Sequence, residues 1–379
     1  YAGVLTGTGG LTLTGSGVLA LTGENPYNGT TTISGGTLIL GSGGSIANSN
    51  VNISTVGILD ITAENASIGS LTGVSGAQIL LGANTLTSIT TSTTTYAGVL
   101  TGSGGLTLTG SGVLALTEAN PYTGTTAISS GTLVLGSTGS IANSNVNIGV
   151  AGLLDITAAN QTIGSLTGVS GAQVLLGENT LTSNTTSTTT YGGVLTGTGG
   201  LTLTGSGTLA LTGTSPYSGT TTITAGTLVL GTGGSIANSS VNISSVGILD
   251  ITAENTSIGS LTGVSGAEIL LGANTLTSNT NSTTTYAGIL TGTGGLTLTG
   301  SGTLALTATN PYSGTTTISA GILILGTDGN IDKSSVNIGS TGILNIAGAN
   351  QSIGSLAGVS GALVELGSNT LTSNTTSTT

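Results

Sequence analysis

The residues of this chain that could do chemistry are few. Among 379 residues there are 12 carboxylates, one base (Lys333), eight tyrosines, and no histidine or cysteine. A Ser-His-Asp triad and a thiolate metal site therefore cannot form. Paired carboxylates could still act as a glycosidase does, but they are scattered along the sequence. We expect no enzymatic activity, no catalytic residue and no cofactor.

A metal site needs several ligands that converge. Asp60, Asp155 and Asp250 occur once in each of three similar segments, GILDIT or GLLDIT, and Asn345 stands at the fourth. Calcium would need several oxygen ligands around one point, so we interpret each aspartate as a single surface charge that limits sideways strand pairing. The densest charged cluster, Asp328 with Asp332 and Lys333, indicates a local ion pair. We predict no metal site.

The segments NPYNG, NPYTG, SPYSG and NPYSG combine Pro, Tyr and Gly, which is typical of a turn that leaves a regular strand. Two interpretations of their tyrosines stay open: the ring covers apolar surface beside the turn, or the turns form a row of lateral contacts for a neighbouring fibre or a glycan. The candidate residues for lateral contact are Tyr27, Tyr122, Tyr217 and Tyr312.

These segments belong to a repeat of constant length. GLTLTGSGVLALTG begins at Gly10 and returns, nearly unchanged, from Gly105, Gly200 and Gly295. We divide the chain into solenoid repeats 1 to 4, at residues 1–95, 96–190, 191–285 and 286–379, and expect one continuous solenoid.

Each repeat reads as short strands with a period of two, punctuated by Gly, Asn and Ser. Such strands bury their apolar side chains only by stacking in coils, and we expect about four coils a repeat, of about 25, 20, 22 and 28 residues, with a rise of about 19 Å. A propeller would need blades of about 40–45 residues, a half-period that the sequence lacks. The predicted inward residues and their counterparts 95 residues on are Leu11, Leu13, Leu38, Leu40, Val51, Ile53, Leu59 and Ile61.

The stretch GGLTLTGSGVLALTGENPYNGTTTISGGTLIL, Gly9 to Leu40, resembles the autotransporter-associated β-strand repeat, and the resemblance returns from Gly104, Gly199 and Gly294. It covers about a third of each repeat. Proline (Pro26 in repeat 1) stands where that family has Thr, and Thr stands in place of its Lys. The resemblance implies an all-β fold, a right-handed parallel β-helix, exported and displayed on a bacterial surface.

The charge and composition of the chain limit the classes of partner that it could bind. The net charge is −11 and charged residues make up 3% of the chain, so the clustered bases of a nucleic-acid groove are absent. We expect no nucleic acid and no membrane insertion of this segment. We interpret the chain as the shaft of an extracellular fibre that meets further repeats or copies of itself end to end, with lateral association open. The alternative is an adhesin stalk or binding module that recognises a glycan or another cell through its lateral face.

Regular terminal repeats support the fibre interpretation. Solenoids protect their ends with atypical polar repeats, and neither the first nor the fourth repeat has that character. The chain stops one residue short of the next Tyr of the series. We therefore expect a further repeat to follow axially at both ends.

Overall fold

The structure is a computed structural model, and it describes residues 1–375. These residues form strands and turns without any helix, so this part of the chain has no helix that could span a membrane. The described residues divide into two compact units. The first unit contains 1–184 and 192–196, and the second contains 185–191 and 197–375.

Twenty strands lie in the first compact unit: β1 Leu11–Leu13, β2 Val18–Leu21, β3 Thr31–Ile33, β4 Gly36–Leu40, β5 Val51–Ile53, β6 Gly57–Asp60, β7 Ala66–Ile68, β8 Leu71–Gly73, β9 Gln78–Gly82, β10 Leu86–Ile89, β11 Thr93–Tyr96, β12 Val99–Gly102, β13 Leu106–Thr109, β14 Val113–Leu116, β15 Thr126–Leu135, β16 Val146–Asp155, β17 Gln161–Ile163, β18 Leu166–Gly168, β19 Gln173–Gly177 and β20 Leu181–Ser183.

Twenty more strands follow, of which β22 has its first three residues in the first compact unit: β21 Thr188–Tyr191, β22 Val194–Gly197, β23 Leu201–Leu203, β24 Thr208–Leu211, β25 Thr221–Leu230, β26 Val241–Asp250, β27 Thr256–Ile258, β28 Leu261–Gly263, β29 Glu268–Gly272, β30 Leu276–Ser278, β31 Thr283–Tyr286, β32 Ile289–Gly292, β33 Leu296–Leu298, β34 Thr303–Leu306, β35 Thr316–Leu325, β36 Val336–Asn345, β37 Gln351–Ile353, β38 Leu356–Gly358, β39 Leu363–Glu365 and β40 Leu371–Ser373.

Each compact unit is a parallel β-solenoid, which confirms the predicted fold class. A strand pairs with the strand that lies one coil further on, as Leu11 does with Thr31 and Thr31 with Val51. Each coil has three sides, so three stacks of strands run along the axis. In the first compact unit one stack begins β1–β3–β5–β8–β11, a second is β2–β4–β6–β9–β12, and a third contains β7–β10–β13.

The core is the inside of the coils. Successive side chains of a strand alternate between inside and outside, so Leu, Ile and Val point inward and Thr and Asn outward. Six of the eight inward residues that we predicted for repeat 1 are at most 1% exposed, which confirms them. The other two, Leu11 and Leu13, are half-buried because β1 pairs with β3 alone, whereas Leu106 and Leu108 are buried one repeat later.

The coils are more uniform in length than predicted, and this changes their number. Ladder partners are closest in sequence at pairs such as Val18↔Thr37 and furthest apart at Gly73↔Tyr96. Even that widest spacing is shorter than the first and fourth coils that we predicted for each repeat, so those two lengths were wrong.

One 95-residue period, from β1 to the start of β13, contains fourteen sides: β1 to β12, and the two segments that meet at the Glu24↔Ser45 bridge. Fourteen sides make four and two-thirds coils, where we predicted about four. At about 4.8 Å per coil, one repeat rises roughly 22 Å.

Because fourteen is not a multiple of three, each repeat starts one side away from the previous one. β1 and its counterpart β13 stand in different stacks, since β1 leads through β8 to Tyr96 of β11, while β13 sits on β10. The second compact unit repeats this offset: β23 leads through β25, β26 and β28 to Tyr286 of β31, while β33 sits on β30. Within each compact unit, equivalent surfaces of its two repeats therefore face different directions.

Corners between sides depend on glycine where the backbone enters the left-handed region. The long strand β15 turns such a corner at Gly131, with a φ of 78°, next to the register shift between Ile128 and Ser130. A Cβ at Gly131 would also meet the backbone oxygens of Gly110 and Gly112 at 2.8 Å and 2.7 Å. All residues with positive φ in the described part of the chain are glycines.

Candidate functional site

The tyrosine turns are the most distinctive feature of the repeat, and the structure places their rings inside the solenoid. Tyr27 is 2% exposed, and Tyr122, Tyr217 and Tyr312 are fully buried. These four rings therefore have no surface for a lateral contact. The turn backbone and its exposed prolines do lie outside, so a contact role for the turns themselves stays a prediction.

Each tyrosine hydroxyl begins a chain of hydrogen bonds. In repeat 2 the Tyr122 hydroxyl lies 2.6 Å from Thr126 Oγ1, which lies 2.7 Å from Ser144 Oγ. Ser144 donates to the Gly124 carbonyl at 2.5 Å, so a consistent arrangement has Tyr122 donating to Thr126 and Thr126 donating to Ser144. The same chain recurs at Tyr27, Tyr217 and Tyr312.

Burial controls the electrostatics of these phenols. Burial raises the pKa of Tyr122, Tyr217 and Tyr312 to about 12, although hydrogen bonding with the neighbouring Thr and Ser side chains lowers it in part. The pKa of Tyr27 is also raised by burial. The four phenols stay neutral at physiological pH and act as donors within the core.

An asparagine two residues before the tyrosine makes further hydrogen bonds in the turn, as repeats 2 and 4 show. Asn120 is 2% exposed; its Oδ1 accepts from Leu100 N at 2.9 Å, and its Nδ2 donates to the Glu118 carbonyl at 2.6 Å. Asn310 makes the same pair of bonds with Leu290 and Ala308. The asparagine side chain supplies these hydrogen bonds at a point where the β-ladder is interrupted. The polar side chains of the turn therefore stabilise the fold.

The aspartates of the GILDIT segments are turn acceptors. Asp60 Oδ1 accepts the backbone N–H of Thr62 at 2.8 Å, and Asp155 and Asp250 accept in the same way. In repeat 4 Asn345 Oδ1 accepts from Ala347 N at 2.9 Å. An amide oxygen serves as well as a carboxylate, which explains why Asn replaces Asp there. The sequence interpretation missed this bond, although that exchange of Asp for Asn is the signal that could have indicated it.

No group of three His, Cys, Asp or Glu residues in residues 1–375 is placed to hold a metal ion. Asp328 and Lys333 are exposed, and the backbone N–H of Asp332 donates to Asn330 Oδ1 at 2.7 Å. The local ion pair that we expected in this cluster stays a prediction.

Shallow grooves occur where the corners of several coils line up. One groove in the second compact unit is lined by hydroxyl and amide groups, among them Ser218, Asn238, Ser240, Ser260, Asn279 and Asn281. Another groove in the first compact unit is lined largely by glycine and small side chains, with Val150 at its edge. Neither groove carries a charged residue.

Comparisons with known proteins agree with the fold. The passenger-associated-transport-repeat family matches residues 11–40, 99–135, 201–230 and 296–325. The chain is also similar to the Adhesin BmaC autotransporter of Brucella suis biovar 1 (strain 1330), with 33% identity over 174 residues, or 43% of this chain. The chain spans 5% of the length of that relative. No solved structure matches the chain.

Three of the four matched segments begin with β1, β23 or β33 and end with β4, β25 or β35, respectively. They contain the Pro-Tyr turn and the Thr that receives the phenol hydrogen bond. The family pattern and the buried hydrogen-bond chain therefore coincide in the sequence, and the expected resemblance is confirmed. Four segments of the chain are similar to the passenger-associated-transport repeat, and each lies within a parallel β-solenoid.

Proposed function

We propose that this chain is a length of the shaft of an extracellular protein on a bacterial surface. The observation that carries the proposal is that the segments similar to the passenger-associated-transport repeat form part of the parallel ladders in each compact unit. Backbone hydrogen bonds that run along the axis resist extension, and repeat number sets the length. The similarity to an autotransporter adhesin supports the surface location.

The role proposed is mechanical, without catalysis. Its support is the chemistry of the side chains: no histidine or cysteine, one lysine, and hydroxyl or amide groups that are committed to turns and corners. The absence of Met, Cys and Trp leaves few positions that oxidants attack. End-to-end continuation, by further repeats or by docked copies, is part of this proposal.

Surface labelling tests the location. Antibodies raised against the chain are applied to intact cells of the source bacterium, before and after digestion of the surface with proteinase K. We expect labelling of intact cells that the protease removes, while a periplasmic marker stays protected. Labelling that requires permeabilised cells would contradict the proposal.

A second function is favoured by the groove of Ser218, Asn238 and Asn281, whose uncharged hydroxyl and amide groups suit a neutral polar ligand such as a glycan. The similarity to an autotransporter adhesin also supports a binding function. Binding of the purified chain to a panel of immobilised glycans tests this function, with an Asn238→Ala, Asn281→Ala double variant as control. Equal binding by the variant and the parent would remove the groove from consideration.

A further inference from the structure

The carboxylates of the chain lie along one side of each repeat and at the corner that follows this side. Every repeat carries three of them, and all follow or flank the same series of strands and the corner after it. They are Glu24, Asp60 and Glu64 in repeat 1, Glu118, Asp155 and Glu178 in repeat 2, Asp250, Glu254 and Glu268 in repeat 3, and Asp328, Asp332 and Glu365 in repeat 4.

The offset of one side per repeat turns this acidic side around the axis. In repeat 1 the carboxylates flank the stack β2–β4–β6–β9–β12. In repeat 2 they flank β14, β16 and β19, which continue the other stack, from β1 through β8 and β11. The two acidic sides of the first compact unit therefore face different directions. The second compact unit shows the same change from β29 in repeat 3 to β39 in repeat 4.

Exposed valines favour contact between two copies of the chain, whereas the carboxylates of the two copies repel each other. Val56, Val150 and Val246 are 66–67% exposed at one corner of repeats 1 to 3, and Val74 and Val169 are half exposed near the first two. Apolar side chains at a regular corner favour contact with another apolar surface, and flat strand faces favour contact with a second solenoid. Whether two copies meet side by side depends on what repels them.

Screening makes the direction of each carboxylate matter. At physiological ionic strength the screening length is about 8 Å, while opposite sheets of a β fold are about 10 Å apart. A carboxylate on one side therefore hardly repels a chain that approaches another side. If the carboxylates of all repeats lay on the same side, the other two sides of the solenoid would have no charge to repel a second chain.

We propose that the non-integral repeat, fourteen sides instead of fifteen, distributes the carboxylates over the sides of the solenoid and thereby prevents side-by-side association between copies of this chain. Three such offsets return to the starting side, so a continuing series would protect all three sides in turn. This inference concerns the lateral surface and holds whether or not the chain is displayed on a cell.

The test compares two variants of equal net charge in the full chain. The aligned variant moves the carboxylates of repeat 2 onto the stack that is acidic in repeat 1. It removes three carboxylates and adds three at exposed positions beside the continuation of that stack: Glu118→Gln, Asp155→Asn and Glu178→Gln with Asn143→Asp, Thr162→Glu and Asn184→Asp.

The matched control keeps the carboxylates of repeat 2 on their own side. It makes the same three removals and adds three carboxylates at positions where another repeat has one: Thr138→Asp, Ala159→Glu and Gln173→Glu, which copy Asp328, Glu64 and Glu268. Both variants carry six substitutions and the parent net charge of −11. Circular dichroism and thermal unfolding establish that each variant folds.

The readouts are mass by sedimentation equilibrium and the cross-sectional radius of gyration by X-ray scattering, because lateral association enlarges the cross-section and end-to-end docking does not. At physiological salt we expect at least a tenfold lower dimer dissociation constant for the aligned variant, with a larger cross-section. The parent and the control keep the cross-section of one chain. At about 0.01 M salt, where the screening length reaches about 30 Å, the difference should shrink.

Two outcomes would overturn the proposal: a parent chain that already associates side by side at physiological salt, or an aligned variant that behaves as the control does. If the aligned variant does not fold, a salt series on the parent decides. The proposal expects the cross-section to enlarge at about 1 M salt, where the screening length is about 3 Å. An unchanged cross-section would then contradict it. End-to-end docking leaves all these outcomes intact, so failure here is distinct from failure of the shaft proposal.

Discussion

Two sets of buried tyrosines divide the repeat into regions that are held together in different ways. Tyr122 lies at a turn where the ladder is interrupted. Its hydroxyl donates to Thr126 Oγ1, which in turn bonds to Ser144 Oγ. Tyr96 and Tyr286 lie within strands, and the Tyr96 hydroxyl reaches only the Val99 carbonyl at 3.5 Å. The turn region depends on a polar chain inside the core, and the strand region depends on space left by glycine.

The glycines that make this space are specific. A Cβ at Gly73 would lie 2.7 Å from both Cδ2 and Cε2 of Tyr96, and a Cβ at Gly263 would lie equally close to Tyr286. The ring stacks over the glycine of the neighbouring coil, as the Gly73↔Tyr96 and Gly263↔Tyr286 pairs show. Removing a side chain on one coil therefore admits a large one on the next.

Alkaline pH should produce the largest effect, and both regions contribute, because burial raises the pKa of Tyr96 and Tyr286 as it does that of the turn tyrosines. The pKa of Tyr122, Tyr217 and Tyr312 is about 12 in the fold and about 10 in the unfolded chain. Between these values the unfolded state has lost protons that the folded state retains, so stability falls as pH rises. Each residue contributes a loss of about 1.4 kcal/mol per pH unit from pH 10 to 12.

Urea unfolding at pH 8, 10, 11 and 12 measures this slope. Below pH 10 these three tyrosines should leave the midpoint unchanged. The Tyr122→Phe variant is the control, because it removes one of the titrating groups and should reduce the slope by that group's share. A midpoint that stays constant up to pH 12 would show that the phenols ionise in the fold as easily as in the unfolded chain.

Gly73→Ala should break the strand region at a cost of about 3 kcal/mol, because the new methyl group forces the Tyr96 ring out of its position in a close-packed core. Gly17→Ala is the matched control, since a Cβ there has no heavy atom within 4 Å. Its effect on the free energy of unfolding should stay within about 0.5 kcal/mol. Chemical denaturation of the two variants, followed by circular dichroism, compares them; equal losses would argue against the space requirement at Gly73.

Thr126→Val should break the turn region by about 2 kcal/mol. The valine has nearly the shape of threonine but leaves the Tyr122 hydroxyl and Ser144 Oγ without their shared partner inside the core. The variant Thr107→Val is the control, because that side chain lies on the outer face of β13. If the two substitutions have equal effects on the denaturation midpoint, the buried chain does not contribute to stability.

Removing a tyrosine hydroxyl should have the smallest effect on stability, and it compares the turn and strand regions directly. Tyr122→Phe should cost about 1 kcal/mol, since one buried hydrogen bond is lost while Thr126 keeps Ser144 as its partner. Tyr96→Phe should cost less than about 0.5 kcal/mol, because its hydroxyl bond is at the limit of hydrogen-bond distance. The difference between the two variants in the free energy of unfolding is the measurement, and a reversed order would contradict the division into two regions.

The sequence alone determined which side of each strand points into the core. Alternation along Leu11–Leu13 and Gly36–Leu40 marks the inward side chains, because a strand has a period of two whatever its partners are. The constant interval of 95 residues likewise required a stack of similar coils. The alternation can be read from a few neighbouring residues, and the interval needs only a comparison of segments along the sequence.

Only the tertiary structure decided how many coils a repeat makes and which side each surface faces. That number depends on which strand lies beside which, as when Tyr96 of β11 pairs with Gly73 of β8. Pairing between successive coils is set by the geometry of three corners at once, which no local pattern specifies. The same holds for Tyr122: its Pro-Tyr-turn composition fits an exposed or a buried ring, and the neighbouring coil, through Ser144, decides for burial.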